Sequence, residues 1–184
     1  MITGKTMLIA HLGYPTEAFK APMIYNPWFA KSGVDAVVVP MGVQTADYPG
    51  VLASLARITN LRGALVTMPH KVRTASLLDV RSPAVEIAGS CNAVRRDADG
   101  RLVGDLFDGE GFVRGLRRKG CVVDGARALV VGAGGVGSAI AASLAQAAAG
   151  SIVLFDVRAD AAEALAARLR SHYPALPVRT GSAG

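Results

Sequence analysis

The sequence predicts an α/β protein in two parts, a mostly parallel α/β domain followed by a Rossmann-type dinucleotide-binding domain, and three observations carry that expectation. Short apolar runs alternate with segments of helical period along all 184 residues. The stretch "RRDADGR" at 95–101 has the Asp-Gly signature of a hairpin turn and marks one antiparallel connection. Late in the chain, "ALVVGAGGVGSAI" sets Gly132, Gly134 and Gly137 in GxGxxG spacing between a strand and a helix.

In chain order, strands are expected at 7–11, 36–40, 64–67, 93–96, 102–105, 128–131 and 152–155. Helices at 22–30, 49–58, 72–78, 83–88, 109–119, 136–148 and 159–171 fill the gaps, several with Gly or Asn close to their ends. A boundary is expected where the hairpin closes one α/β unit and a fresh strand–turn–helix unit follows, giving a substrate-binding domain at 1–107 and a dinucleotide-binding domain at 108–184. The chain stops at "PVRTGSAG", inside what reads as the third strand of a mononucleotide unit, so the second domain is expected to be incomplete and the chain a fragment.

Composition narrows the function classes. The longest apolar runs fall far short of the roughly 18 residues a membrane-spanning helix needs. The N-terminus lacks the pattern of a signal peptide, so a cytoplasmic protein that does not engage membranes is expected. Cys91 and Cys121 lie far apart without metal-ligand spacing, which predicts reduced thiols and no metal. The net charge of +6 owes much to "RGLRRKG" at 114–120, cations that suit a helix end; with aromatics at 5%, no nucleic-acid partner is expected.

Two stretches carry chemistry. In "GALVTMPHKV" Gly63 opens a buried strand and Pro69 ends its pairing, which leaves Lys71 at a strand's carboxyl end. In the glycine motif, Gly132 allows the tight turn, Gly134 lets the backbone of Ala133 to Val136 approach a pyrophosphate, and Gly137 lets helix and sheet pack closely. The cofactor-binding set is therefore Gly132, Ala133, Gly134, Gly135, Val136 and Gly137 with Asp156, which ends the next strand, and Arg158. A carboxylate at that position accepts ribose hydroxyls and repels a 2′-phosphate, which predicts NAD, with Arg158 leaving NADP possible.

"GYPTEAFKAPMIYN", "LVTMPHK", "GSCNAV", "LFDGEGF" and "GAGGVG" follow one another in the order and spacing of five motifs, and with them the whole chain resembles the shikimate/quinate dehydrogenase family. The resemblance implies an NAD(P)-dependent alcohol dehydrogenase acting on a cyclic small molecule as a monomer or homodimer. Lys71 falls on the family's catalytic lysine, Asp108 on its partner aspartate, and Thr67 and Asn92 on residues that hydrogen-bond substrate hydroxyls. Hydride transfer from a secondary alcohol needs a group to take the hydroxyl proton, and a lysine beside an aspartate can hold and exchange it.

The departures from the family pattern concern the substrate's acid end. Phe19 and Ala21 stand where the family has two serines, Leu65 where it has an asparagine, Leu106-Phe107 where it has Asn-Thr, and Tyr25 where it has a histidine. Poor turnover of shikimate itself and a less polar or differently substituted cyclic alcohol are expected, with Lys20 or Tyr25 as replacement contacts to a carboxylate. A ligand-binding or regulatory protein on the same fold is the alternative, which retained Lys71 and Asp108 disfavour.

Overall fold

The computed structural model describes residues 2–181. Contacts divide the chain into two compact units: residues up to Val80 together with Cys91–Gly104, and Arg81–Ser90 together with the chain from Asp105 onward. The expected 107/108 boundary runs close to this division, but the segment Arg81–Ser90 groups with the second unit.

The first unit is built on β1 (Met7–Gly13), α1 (Ala21–Ser32), β2 (Ala36–Gly42), α2 (Tyr48–Leu55), β3 (Leu61–Val66) and α3 (Lys71–Ala75). After the short β4 (Val80–Arg81) and α4 (Pro83–Ala88) come β5 (Ala93–Arg96) and β6 (Leu102–Asp105), and the sheet order is β2-β1-β3-β5-β6-β4. β1 lies between β2 and β3 and is parallel to both, with Ile9 opposite Val38 and Leu12 opposite Val66. A parallel strand covered on both sides must be apolar, and Ala10 and Leu12 are fully buried. β5 reverses direction against β3, pairing Leu65 with Ala93. The 95–101 turn closes as the sequence predicts, the Asp97 amide donating to the Arg101 carbonyl at 3.0 Å and Gly100 sitting at φ 84°.

In the second unit, α5 (Asp108–Arg118), β7 (Arg127–Val131), α6 (Gly135–Gln146), β8 (Ser151–Phe155), α7 (Ala159–His172) and β9 (Val178–Thr180) follow. β7, β8 and β9 form a parallel sheet in that order. Ile152 and Leu154 of β8 and Leu165 and Leu169 of α7 are all within about 1% of full burial, each side chain contributing roughly 1.5–3 kcal/mol to stability. Small residues on α6 (Ala141, Ala142, Ala145) let that helix pack against α4 and α5, and Gly109 approaches the Ala139 carbonyl so closely that no Cβ fits.

Candidate active site

The carboxyl ends of β1 and β3 are joined by backbone bonds that fix where the chain can leave the sheet. The Thr67 amide donates to the Leu12 carbonyl at 2.8 Å and the Tyr14 amide to the Met68 carbonyl at 3.0 Å. Thr67 therefore stands just past the last residue of β3, beside Gly13. The chain turns at once, since the His70 amide donates to the Thr67 carbonyl at 3.0 Å, and α3 starts at Lys71. The Met68–Pro69 bond in this turn is cis, as is Tyr14–Pro15.

Two further bonds bring in Asn92. Its carbonyl accepts the Val66 amide at 2.8 Å, and the neighbouring Cys91 amide donates to the Lys71 carbonyl at 2.9 Å. Thr67, Lys71 and Asn92, far apart in the chain, thus converge at one end of the first unit's sheet, outside the carboxyl ends of parallel strands where α/β proteins hold ligands.

A buried aromatic stack underlies this turn. His70 is fully buried, its ring parallel to that of fully buried Tyr48 with centroids 4.0 Å apart. His70 Nε2 lies 2.9 Å from the Val43 carbonyl, which can only accept, so Nε2 carries the proton. Tyr48 Oη and Thr74 Oγ1 share a 2.6 Å hydrogen bond, and the Thr74 hydroxyl and amide reach the His70 carbonyl, each at 2.8 Å. Burial pushes the Tyr48 phenol up to about 12, so it stays protonated and the network is intact at neutral pH.

Phe19, Lys20 and Tyr25 enter from the α1 side. Phe19 Cζ would meet a Cβ on Gly13, and the Phe19 ring packs on His11 with centroids 4.2 Å apart. Lys20 is exposed at the N-cap of α1, and Tyr25, 41% exposed, lies beside Phe29 with centroids 6.1 Å apart. Asn26 acts as a splint, its amide bonding both backbone groups of Val38 at 3.1 and 2.7 Å and so holding α1 to β2.

In the second unit the glycine motif forms a turn between β7 and α6. Gly132 has φ 101°, a left-handed backbone that disfavours side chains, and its amide donates to the Phe155 carbonyl at 2.7 Å. A Cβ on Gly137 would collide with the Gly132 carbonyl oxygen. Gly134 is the N-cap of α6 and makes no side-chain cap bond, and a Cβ there would meet nothing within 4 Å among the described residues. The turn with Ala133, Gly135 and Val136 thus fits a dinucleotide's pyrophosphate, an anion that open backbone and helix N-terminal N–H groups recognise.

Asp156 is tied to that turn. Its Oδ2 accepts the Ala133 amide at 2.6 Å and its Oδ1 the Arg158 amide at 2.9 Å, and these two bonds, Ala133 first, hold its carboxyl below the usual range. Each oxygen keeps a lone pair for a ribose hydroxyl. Arg158 is exposed at the N-cap of α7. Asp108 is the first residue of α5, where the helix dipole favours a carboxylate.

Residues 12–94 match the family model of the shikimate dehydrogenase substrate-binding domain. Shikimate dehydrogenase (NADP(+)) from Geobacter metallireducens is 38% identical over 154 residues, covering 83% of this chain and 53% of that protein. The chain belongs to the shikimate dehydrogenase family. The Moorella thermoacetica shikimate dehydrogenase (NADP(+)) is 36% identical over 100% of this chain and 62% of its own length. Among solved structures, shikimate 5-dehydrogenase from Listeria monocytogenes in complex with shikimate and NAD superposes with a TM-score of 0.89 at 32% identity, covering 98% of this chain and 62% of that one. The chain thus spans between about half and two thirds of these shikimate dehydrogenases.

Three features near this strand-end surface carried no sequence signal. His11 is a single histidine in an apolar strand, a pattern that core positions share. The Asn26 splint depends on the approach of α1 to β2, and the Tyr48–His70 stack on residues 22 positions apart.

Proposed function

We propose that this chain carries the substrate and dinucleotide sites of an NAD(P)-dependent oxidoreductase of the shikimate dehydrogenase type, which moves hydride between a cyclic secondary alcohol and nicotinamide. The observation that carries the reading is the convergence of Thr67, Lys71 and Asn92 at the carboxyl end of the parallel strands. Residues 1–107 supply substrate binding and 108–184 dinucleotide binding. Thr67 and Asn92 offer hydroxyl and amide groups to the substrate's hydroxyls, and Lys71 with Asp108 takes up or returns the alcohol proton. When bound, the nicotinamide supplies the hydride acceptor; the chain's part is to cradle its phosphates at 132–137 and its ribose at Asp156.

The names of the relatives weigh toward NADP and Arg158 offers it a cation, while Asp156 weighs toward NAD. Because Asp156 also holds the Ala133 amide, its two substitutions separate these effects. Asp156→Asn keeps an acceptor for Ala133 but removes the charge, so KM for NADP is expected to fall several-fold while KM for NAD rises. Asp156→Ala loosens the turn and raises both. Initial rates with each dinucleotide check this, and unchanged constants in both variants would remove Asp156 from the cofactor site.

The substrate is a cyclic alcohol whose acid end differs from the family's usual one, because Phe19, Ala21 and Leu65 offer no hydrogen-bond donors there. The double substitution F19S/A21S is expected to raise kcat/KM on shikimate or quinate by at least tenfold, the worth of one recovered hydrogen bond to a charged group. No gain in the full-length enzyme would assign carboxylate binding to Lys20 or Tyr25. The reading as a whole is tested by absorbance at 340 nm with shikimate, quinate and related cyclic alcohols, each with NAD and NADP. No turnover of any of them would overturn it.

A further inference from the structure

We propose that His11 is a substrate-contacting residue that sets specificity, presenting its imidazole to a substrate hydroxyl in place of the polar groups this chain lacks at Phe19 and Leu65. This inference rests on the dehydrogenase reading above. Four observations in the first unit carry it.

The first is position. His11 lies near the carboxyl end of β1 and is in register with Leu65 of β3, so the two side chains share one face of the sheet. Thr67, two residues beyond Leu65, continues that face and touches the space above Gly13, two residues beyond His11. His11 is therefore part of the same strand-end surface as Thr67. The second is chemistry. On this surface Leu65 and Phe19 are apolar, and His11 brings back a group able both to donate and to accept a hydrogen bond.

The third is an unpaired polar atom. His11 is 7% exposed, and its Nδ1 is buried with no hydrogen-bond partner among the described residues. Buried polar groups are nearly always paired, and one left open beside a ligand site is matched when the ligand arrives. His70 Nδ1 likewise has no partner among the described residues, but that ring is held deep under the turn by the contact of its Nε2 with the Val43 carbonyl and by the stack on Tyr48, whereas His11 lies at the strand end. The fourth is orientation. The Phe19 ring lies against the imidazole at 35°, with centroids 4.2 Å apart, and limits how the imidazole can turn. Phe19 is then not merely a lost serine; it holds the residue that replaces it.

Burial lowers the His11 pKa, which keeps the ring neutral at neutral pH. A neutral imidazole suits an uncharged hydroxyl better than a carboxylate, so the ligand class is a neutral or weakly polar cyclic polyol.

The test uses the full-length gene product. Long-range 1H–15N spectra of the histidine rings are recorded while shikimate, quinate and the corresponding cyclohexane polyols without a carboxylate are titrated in. The His11 ring signals are expected to shift with saturation, most strongly with the polyols, while His70 stays still. In parallel, His11→Val is expected to raise KM for the best substrate about tenfold to a hundredfold with kcat within about threefold, and His11→Asn to recover part of the loss. His11 signals that do not move at saturating ligand, or unchanged KM in His11→Val on every substrate turned over, overturn the proposal. No turnover of any cyclic alcohol by the wild-type protein would instead sink the dehydrogenase reading, while the ring spectra still decide whether His11 meets a ligand.

Discussion

Replacing Lys71 by alanine is expected to lower turnover at least a hundredfold while leaving dinucleotide affinity within about twofold. General acid–base catalysis typically contributes about a hundredfold to ten-thousandfold, and alanine can neither hold nor pass on a proton. The fold should survive the change, because what Lys71 gives its surroundings through the Cys91 bond is its backbone carbonyl. Arginine at this position should not rescue the rate, since a guanidinium does not release its proton in a protein. The measurement is steady-state kinetics beside cofactor titration by fluorescence. A Lys71→Ala enzyme running at full rate would take Lys71 out of the mechanism, and a wild-type protein that binds cyclic alcohols without turning them over would favour the ligand-binding alternative.

Gly137→Ala should have the largest effect on the second unit. The new Cβ would overlap the Gly132 carbonyl oxygen, which is backbone and cannot swing away. Either the turn opens or α6 shifts, and overpacking of this kind costs about 1–3 kcal/mol and sometimes more. The expected result is a thermal midpoint lowered by several degrees and dinucleotide affinity weakened at least a hundredfold. Gly134→Ala is the control, since a Cβ there meets nothing within 4 Å among the described residues: stability should be kept and affinity reduced only where the side chain crowds the cofactor. Full affinity in Gly137→Ala would show that the turn is not the phosphate cradle.

Most of the fold was readable because period and punctuation agree along the chain. β5 and β6 fall where the sequence predicts them, at Ala93–Arg96 and Leu102–Asp105, with the Asp-Gly turn between. β3 begins earlier than its apolar run suggests, at Leu61, because pairing of Leu8 with Leu61 carries the strand across Arg62 and Gly63. It also ends a residue sooner, so Thr67 is in the turn, and α3 starts at Lys71 instead of the expected Val72. β4 is two residues long, too short for any alternation to register. The grouping of α4 with the second unit rests on its contacts with α6 and α7, Ile87 joining their core, a long-range choice that the helix's own residues do not announce.

The site was legible to the same extent. Thr67, Lys71 and Asn92 were marked by motifs, and backbone bonds bring them together. Asp156 was read as a ribose ligand, but its hold on the Ala133 amide follows from how the turn closes over the strand end. His11 needed the register of β1 against β3 before it could be seen as anything other than core.

The stack beneath the turn has a consequence for how such a site can evolve. Lys71 follows a histidine locked between Tyr48 and the Val43 carbonyl, so a substitution there that shifts the backbone must disturb three elements of the first unit together. Phe19, by contrast, belongs to a half-exposed loop where drift is cheap. Under the proposed roles, inheritance of the proton-handling end and turnover of the recognition end are unequal by construction, and a lineage could acquire new substrates by varying 19–25 without reinventing its chemistry.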